Sequence, residues 1–182
     1  MELLVTITII TILTSILVAG TTGFRDRARR TKTRAQIAQM ETALEAYRND
    51  FLRYPNDASP TQYENDNSYI LEQLSGRDMD DGVYSSAITG DARWNGPYFE
   101  PKSEDVVMMN GAGGTPVRTW VDAWGSAFNL RLANDTTIET SNPNPPLNRA
   151  LSFDIWSHGP NKTNDSGSHA ASGLGGDDIG NF

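Results

Sequence analysis

Residues 1–24, MELLVTITIITILTSILVAGTTGF, carry one ionisable side chain, Glu2, ahead of an unbroken apolar and hydroxyl run from Leu3 to Phe24. At a helical rise of about 1.5 Å per residue the run reaches about 33 Å, enough to cross a hydrocarbon core of about 30 Å. The next block extends the same element. Ile37, Met40, Leu44, Tyr47 and Phe51 fall three and four apart, one stripe of an amphipathic helix. One long helix is therefore expected over 1–54, apolar in its first half and amphipathic in its second. It should run to about Arg53 and be stopped by Pro55, which donates no backbone hydrogen bond and disfavours helix at the residue before it.

A carboxylate near a bilayer interior costs at least a few kcal/mol unless it is paired or reaches the interface. Glu2 is then either the first residue at the wet surface, or it meets a cation such as the amino terminus at Met1 of another copy when apolar helices pack together. The two halves of the helix meet at Gly20-Thr-Thr-Gly23, where two glycines at about 1 kcal/mol each and two β-branched residues lower helix propensity. Gly20 and Gly23 mark the expected weak point.

Charge divides the 182 residues into an apolar and basic stalk and an acidic head. Residues 1–54 hold eight basic and five acidic groups, net +3; residues 55–182 hold seven basic and eighteen acidic groups, net −11. An acidic head of that size excludes nucleic acid as a partner by repulsion. The chain has no cysteine, which excludes disulfides and thiolate chemistry. The apolar run does not fit a cleaved signal peptide and is expected to be retained. The basic cluster Arg25 to Arg34 places the head in the cytoplasm by the positive-inside rule, and a basic leader ahead of Met1 reverses that.

In the head, Asn67 to Leu74 is a short helix candidate. Val106 to Met109, Val117 to Val121, Ala127 to Leu132 and Leu151 to Trp156 are strand candidates, separated by Gly-, Asp- and Pro-rich turns. A small antiparallel sheet packed on the helix, an α+β architecture with a loop-rich C-terminus, is the economical arrangement. Residues 157–182 are poor in apolar side chains and rich in Gly, Ser, Asn and Asp, which reads as disorder. Against that, Asn161, Thr163, Asn164, Asp165, Asp177 and Asp178 supply oxygen donors at a density that suits a hard cation such as calcium, although the spacing is not that of an EF-hand.

Together these segments resemble type IV pilins and pseudopilins. The likeness lies in Glu2-Leu-Leu-Val with its Ile-rich continuation and in the stretch from Ala35 to Tyr47. It extends through Asp50-x-x-Arg53-Tyr54-Pro55, Asn95-Gly-Pro-Tyr98, Asp122-x-Trp124-Gly125-x-x-Phe128, Phe153-Asp-Ile-Trp-Ser-His-Gly159 and Gly175 to Phe182. The set, in order, is most similar to the major pseudopilin of type II secretion. The resemblance implies a long helix on a small antiparallel sheet and polymerisation through the apolar segments into a helical filament. It also implies calcium in the C-terminal loop. His158 would offer its backbone carbonyl, Asn161 stands where the family has a ligand aspartate, Asp177 and Asp178 match the terminal acidic pair, and Asp165 would replace the missing carboxylate. Family precursors lose a short basic leader and gain an N-methylated terminus a few residues ahead of the glutamate, whereas here Met1 directly precedes Glu2.

Catalysis has little to stand on. Asp165-Ser-Gly167 matches the aspartic-protease tripeptide without a second facing aspartate, and His158 and His169 lack any nucleophile or metal motif. Trp94, Trp120, Trp124 and Trp156 suit packing as well as sugar stacking. The expected function is that of a structural subunit of a secretion pseudopilus, not an enzyme. Its expected partners are other copies, an inner-membrane assembly platform, minor pseudopilins and, before assembly, the membrane. The alternative is a subunit of a surface pilus for adhesion or motility.

Overall fold

A computed structural model describes residues 2–55, 62–63, 67–78, 80–111, 114–132, 152–163 and 176–181, with the side chains of 2, 16–22 and 62–63 outside that description. Helix α1 runs without interruption over Glu2–Phe51. It ends two residues earlier than expected, because Leu52 turns into the left-handed region (φ +59°) and its N–H closes on Arg48 O at 2.7 Å. The expected stripe is the spine of the core: Ile37, Met40, Leu44, Tyr47 and Phe51 are all buried, with Thr33, Gln36 and Ala43 beside them.

Helix α2 (Ser68–Ser75) matches the expected candidate and buries Ile70, Leu71 and Leu74; Gly76, at φ +71°, caps its end. A single-turn helix α3 (Ser86–Thr89) follows, then a tight 3-10 turn over Ser103–Asp105. The strands are β1 (Gln62–Tyr63), β2 (Val106–Asn110), β3 (Pro116–Trp120), β4 (Asn129–Leu132), β5 (Phe153–Ser157) and β6 (Ile179–Gly180). They form two antiparallel sheets where one was expected: β1-β4-β5-β6 and the hairpin β2-β3. The chain leaves the hairpin for the larger sheet at Asp122–Gly125, a turn in which Gly125 holds φ +79° and Asp122 Oδ1 accepts the N–H groups of Trp124 (2.8 Å) and Ser126 (2.9 Å).

Asn67 joins the two sheets. Its Nδ2 donates to Trp120 O (2.8 Å) and Phe128 O (2.9 Å), and its Oδ1 accepts the Trp120 N–H (2.8 Å), all buried. One buried amide thus bonds three backbone groups. The tryptophans pack rather than display themselves. Trp120 lies over Phe128 with ring centroids 3.8 Å apart and meets Phe99 edge-on at 5.2 Å, and Trp156 is fully buried.

Candidate functional site

Two regions hold the residues singled out above: the first half of α1 and the C-terminal loop. On α1, Leu3, Leu4, Val5, Ile7, Ile9, Ile10, Ile12 and Leu13 are 51% to 79% exposed, so the head covers none of this face. The hydroxyls between them bond back into their own helix. Thr6, Thr8, Thr11, Thr14 and Ser15 donate to carbonyls three or four residues earlier at 2.7–2.9 Å. The segment thereby presents an apolar surface with its polar atoms already satisfied, which suits water-free surroundings. Among the described residues no helix is long and apolar enough to cross a membrane; the expected span, 3–24, includes 16–22, whose side chains lie outside them.

Glu2 is the first residue of α1, while Met1 lies outside the described residues. Gly20 and Gly23 both sit inside the continuous helix, and a Cβ at Gly23 would meet nothing within 4 Å. Of the basic cluster that follows, Arg30 pairs with Asp26 at 3.0 Å, and Lys32 reaches Asp105 at 2.6 Å, tying the helix to the 3-10 turn of the head.

In the C-terminal region the chain folds back on itself. Ser157 pairs in register with Ile179, and Gly159, at φ +67°, lies so close to the Asp177 carbonyl that a Cβ there would collide with it. The Asn161 N–H donates to Asp177 Oδ2 at 3.1 Å, so Asn161 and Asp177 are brought together across the loop, with Asp178 buried next to them. Asn161 Oδ1 accepts the Thr163 N–H at 2.7 Å. The His158 ring is tied to Asn129 of β4, Nε2 to Nδ2 at 3.1 Å. The donors are all oxygen, as calcium requires. Yet among the described residues no group of three or more histidines and acids could hold a metal, and Asp165, the expected additional carboxylate, lies outside them. His169 is outside them too.

Sequence reasoning missed the tether that anchors this loop. Ser157 Oγ donates to buried Asp122 Oδ2 at 2.5 Å and accepts the Gly159 N–H at 3.0 Å. The turn at Asp122 is in turn held to α1, since Gln36 Nε2 donates to Val121 O (3.2 Å) and the Ala123 N–H to Thr33 Oγ1 (3.4 Å). At the far end, Asn181 Nδ2 donates to Glu41 Oε1 of α1 at 3.1 Å. The only sequence signal was the Asp-x-Trp-Gly turn; its partner 35 residues later could not be read.

The long helix with a bare apolar half, docked by its other half on small antiparallel sheets, is the arrangement the resemblance implied. Residues 21–107 match the sequence model of the family described as type II secretion system protein G, the major pseudopilin. The likeness to pilins and pseudopilins is borne out. The matched pseudopilin stretch starts at the Gly20–Gly23 segment and ends inside β2, so it takes in the amphipathic half of α1 and lies apart from the C-terminal loop. No curated protein and no solved structure gives a match.

Proposed function

We propose that this chain is a structural subunit that polymerises through α1 into the pseudopilus of a type II secretion system and so supports export of folded proteins. The observation that carries the reading is the bare face from Leu3 to Leu13 on a helix whose other half is core. Apolar area left in water costs about 25 cal/mol per Å², and eight large side chains on one short segment call for a cover. Before assembly the inner membrane covers them, with the head on the extracytoplasmic side; after assembly the same segments of neighbouring copies do. The assembly platform and the minor pseudopilins are partners in that transfer, and nucleic acid is not.

In this reading Glu2 neutralises the terminal ammonium of a neighbouring copy as it docks. Glu2→Ala and Glu2→Leu should leave membrane insertion intact and abolish filaments in electron micrographs of the purified protein; normal filaments from either variant would remove the role. Loss of secreted proteins from a deletion strain that keeps its surface fibres would favour secretion over the surface-pilus alternative.

Calcium is the proposed ion of the C-terminal loop, held by the His158 carbonyl, Asn161, Asp177 and Asp178 with Asp165 as a further ligand. What supports it is the meeting of Asn161 and Asp177 across a loop with little apolar burial of its own. Chelation should lower the melting temperature of the full-length protein in detergent, and Asp177→Asn should abolish the difference. Equal melting with and without chelator would sink the site.

A further inference from the structure

Between the apolar run and the head, α1 passes through a bare neck. Phe24, the last residue of the run, is 73% exposed, and the first buried residue after it on α1 is Thr33. The stretch between them, 25–32, spans about 12 Å of helix. It holds Arg25, Arg27, Arg29, Arg30 and Lys32 against one acid, Asp26. That acid is engaged within the neck, by Arg30 at 3.0 Å, and Lys32 is drawn to Asp105 of the head at 2.6 Å. Arg25, Arg27 and Arg29 remain, all exposed, on a helix that runs through them without a break.

Their placement says what could meet them. At about 100° per residue Arg25 and Arg29 lie about 40° apart, and Arg27 about 160° from both, so the three charges encircle the helix. A protein docking by one patch meets one side of a helix, whereas a layer of phosphates surrounds it. Depth points the same way. The three arginines start about 1.5–7.5 Å beyond Phe24, and the headgroup layer of each leaflet is about 5–8 Å deep, half the difference between the whole bilayer and its hydrocarbon core. With the head on the extracytoplasmic side, each of these cations opposes the positive-inside preference, so an anion on that side has to offset them. A guanidinium fork matches two phosphate oxygens, keeps its charge at any working pH, and sits on a stem long enough to reach along the interface.

We infer that Arg25, Arg27 and Arg29 form a collar that binds the phosphates of anionic phospholipids in the extracytoplasmic leaflet and fixes the depth at which the subunit sits; the inference rests on the membrane residence proposed above. The test reconstitutes the full-length protein into vesicles of phosphatidylcholine, and of phosphatidylcholine mixed with phosphatidylglycerol. It then extracts the protein in neutral detergent and identifies the retained lipid by mass spectrometry. Wild type should retain phosphatidylglycerol about tenfold over its share of the vesicle. The triple variant R25Q/R27Q/R29Q should insert as well as wild type, melt at the same temperature and retain the two lipids in the vesicle ratio, while R25K/R27K/R29K should keep a preference for phosphatidylglycerol. Equal retention of the two lipids by wild type would overturn the collar. So would displacement of the lipid by millimolar inorganic phosphate, which would mark a plain anion site. A glutamine variant that keeps its phosphatidylglycerol but assembles poorly would assign the arginines to contacts between copies and overturn the lipid contact. If the unaltered chain inserts into neither vesicle, the membrane reading falls and the collar with it, whereas insertion without lipid preference removes the collar alone.

Discussion

The two halves of α1 share one backbone geometry and differ in who covers them. From Leu3 to Leu13 the large apolar side chains are more than half exposed, whereas from Ile37 to Phe51 the stripe is at most 8% exposed. The second half is stabilised by its own chain: Phe153 and Ile155 of β5, Ile179 of β6, and α2 pack on it. The first half takes no such help from the described residues of its own chain, so in the proposed polymer its burial would come from assembly and not from the fold. A helix of this kind separates folding from function along its length, and each half should respond to substitution in its own way.

The widest gap should appear between matched truncations. Leu44→Ala, at a fully buried position, should cost about 2–5 kcal/mol of head stability in chemical denaturation of the detergent-solubilised protein. Ile10→Ala, 62% exposed, should stay within about 0.5 kcal/mol in the same assay, and a comparable loss there would break the comparison. A smaller effect is expected where the buried half meets the rest of the head. Asn67→Ala removes three buried hydrogen bonds between α2 and the two sheets and should cost about 1–3 kcal/mol, with faster amide exchange at Trp120 as the local sign.

The smallest effect lies at the end of the buried half and shows only in alkali. Burial and the hydrogen bond to Asp50 (2.7 Å) push the Tyr98 phenol up to about 12. Because the folded value lies above the unfolded one near 10, this contribution to stability is complete below pH 10 and is lost as pH rises through 12. Phenolate absorbance should show Tyr98 titrating late, as burial also raises Tyr47 and Tyr54, and Asp50→Asn should bring the Tyr98 step earlier. A Tyr98 that titrates near 10 in the folded protein would mean that its contact with Asp50 does not hold in solution.

Much of this was legible because it is local. The stripe from Ile37 to Phe51 needs only helical periodicity, and α2, β2 and β3 needed only apolar runs between turn residues. What escaped depends on partners far away in sequence. Ile179–Gly180 is a strand only because Trp156 and Ser157 lie beside it, and two residues carry no period. The split into two sheets follows from the turn at Asp122–Gly125, whose direction depends on Gly125 holding φ +79°. Asn67 reads as a helix start, and its role becomes visible only when Trp120 and Phe128 arrive. The candidate ion loop was half legible: Asn161 and Asp177 do meet, while the Ser157 to Asp122 tether that sets their approach was not readable from composition.

The back-bonded hydroxyls of α1 bear on how easily the segment changes surroundings. Each of Thr6, Thr8, Thr11, Thr14 and Ser15 carries its acceptor within the same helix, so no hydrogen bond has to be broken when one set of neighbours replaces another. In the proposed assembly, passage from hydrocarbon tails to the side chains of adjoining helices would then be an exchange between two oils of similar polarity. The free energy of that exchange is close to level, which makes the step reversible in principle and leaves its direction to be set by whatever does work on the head.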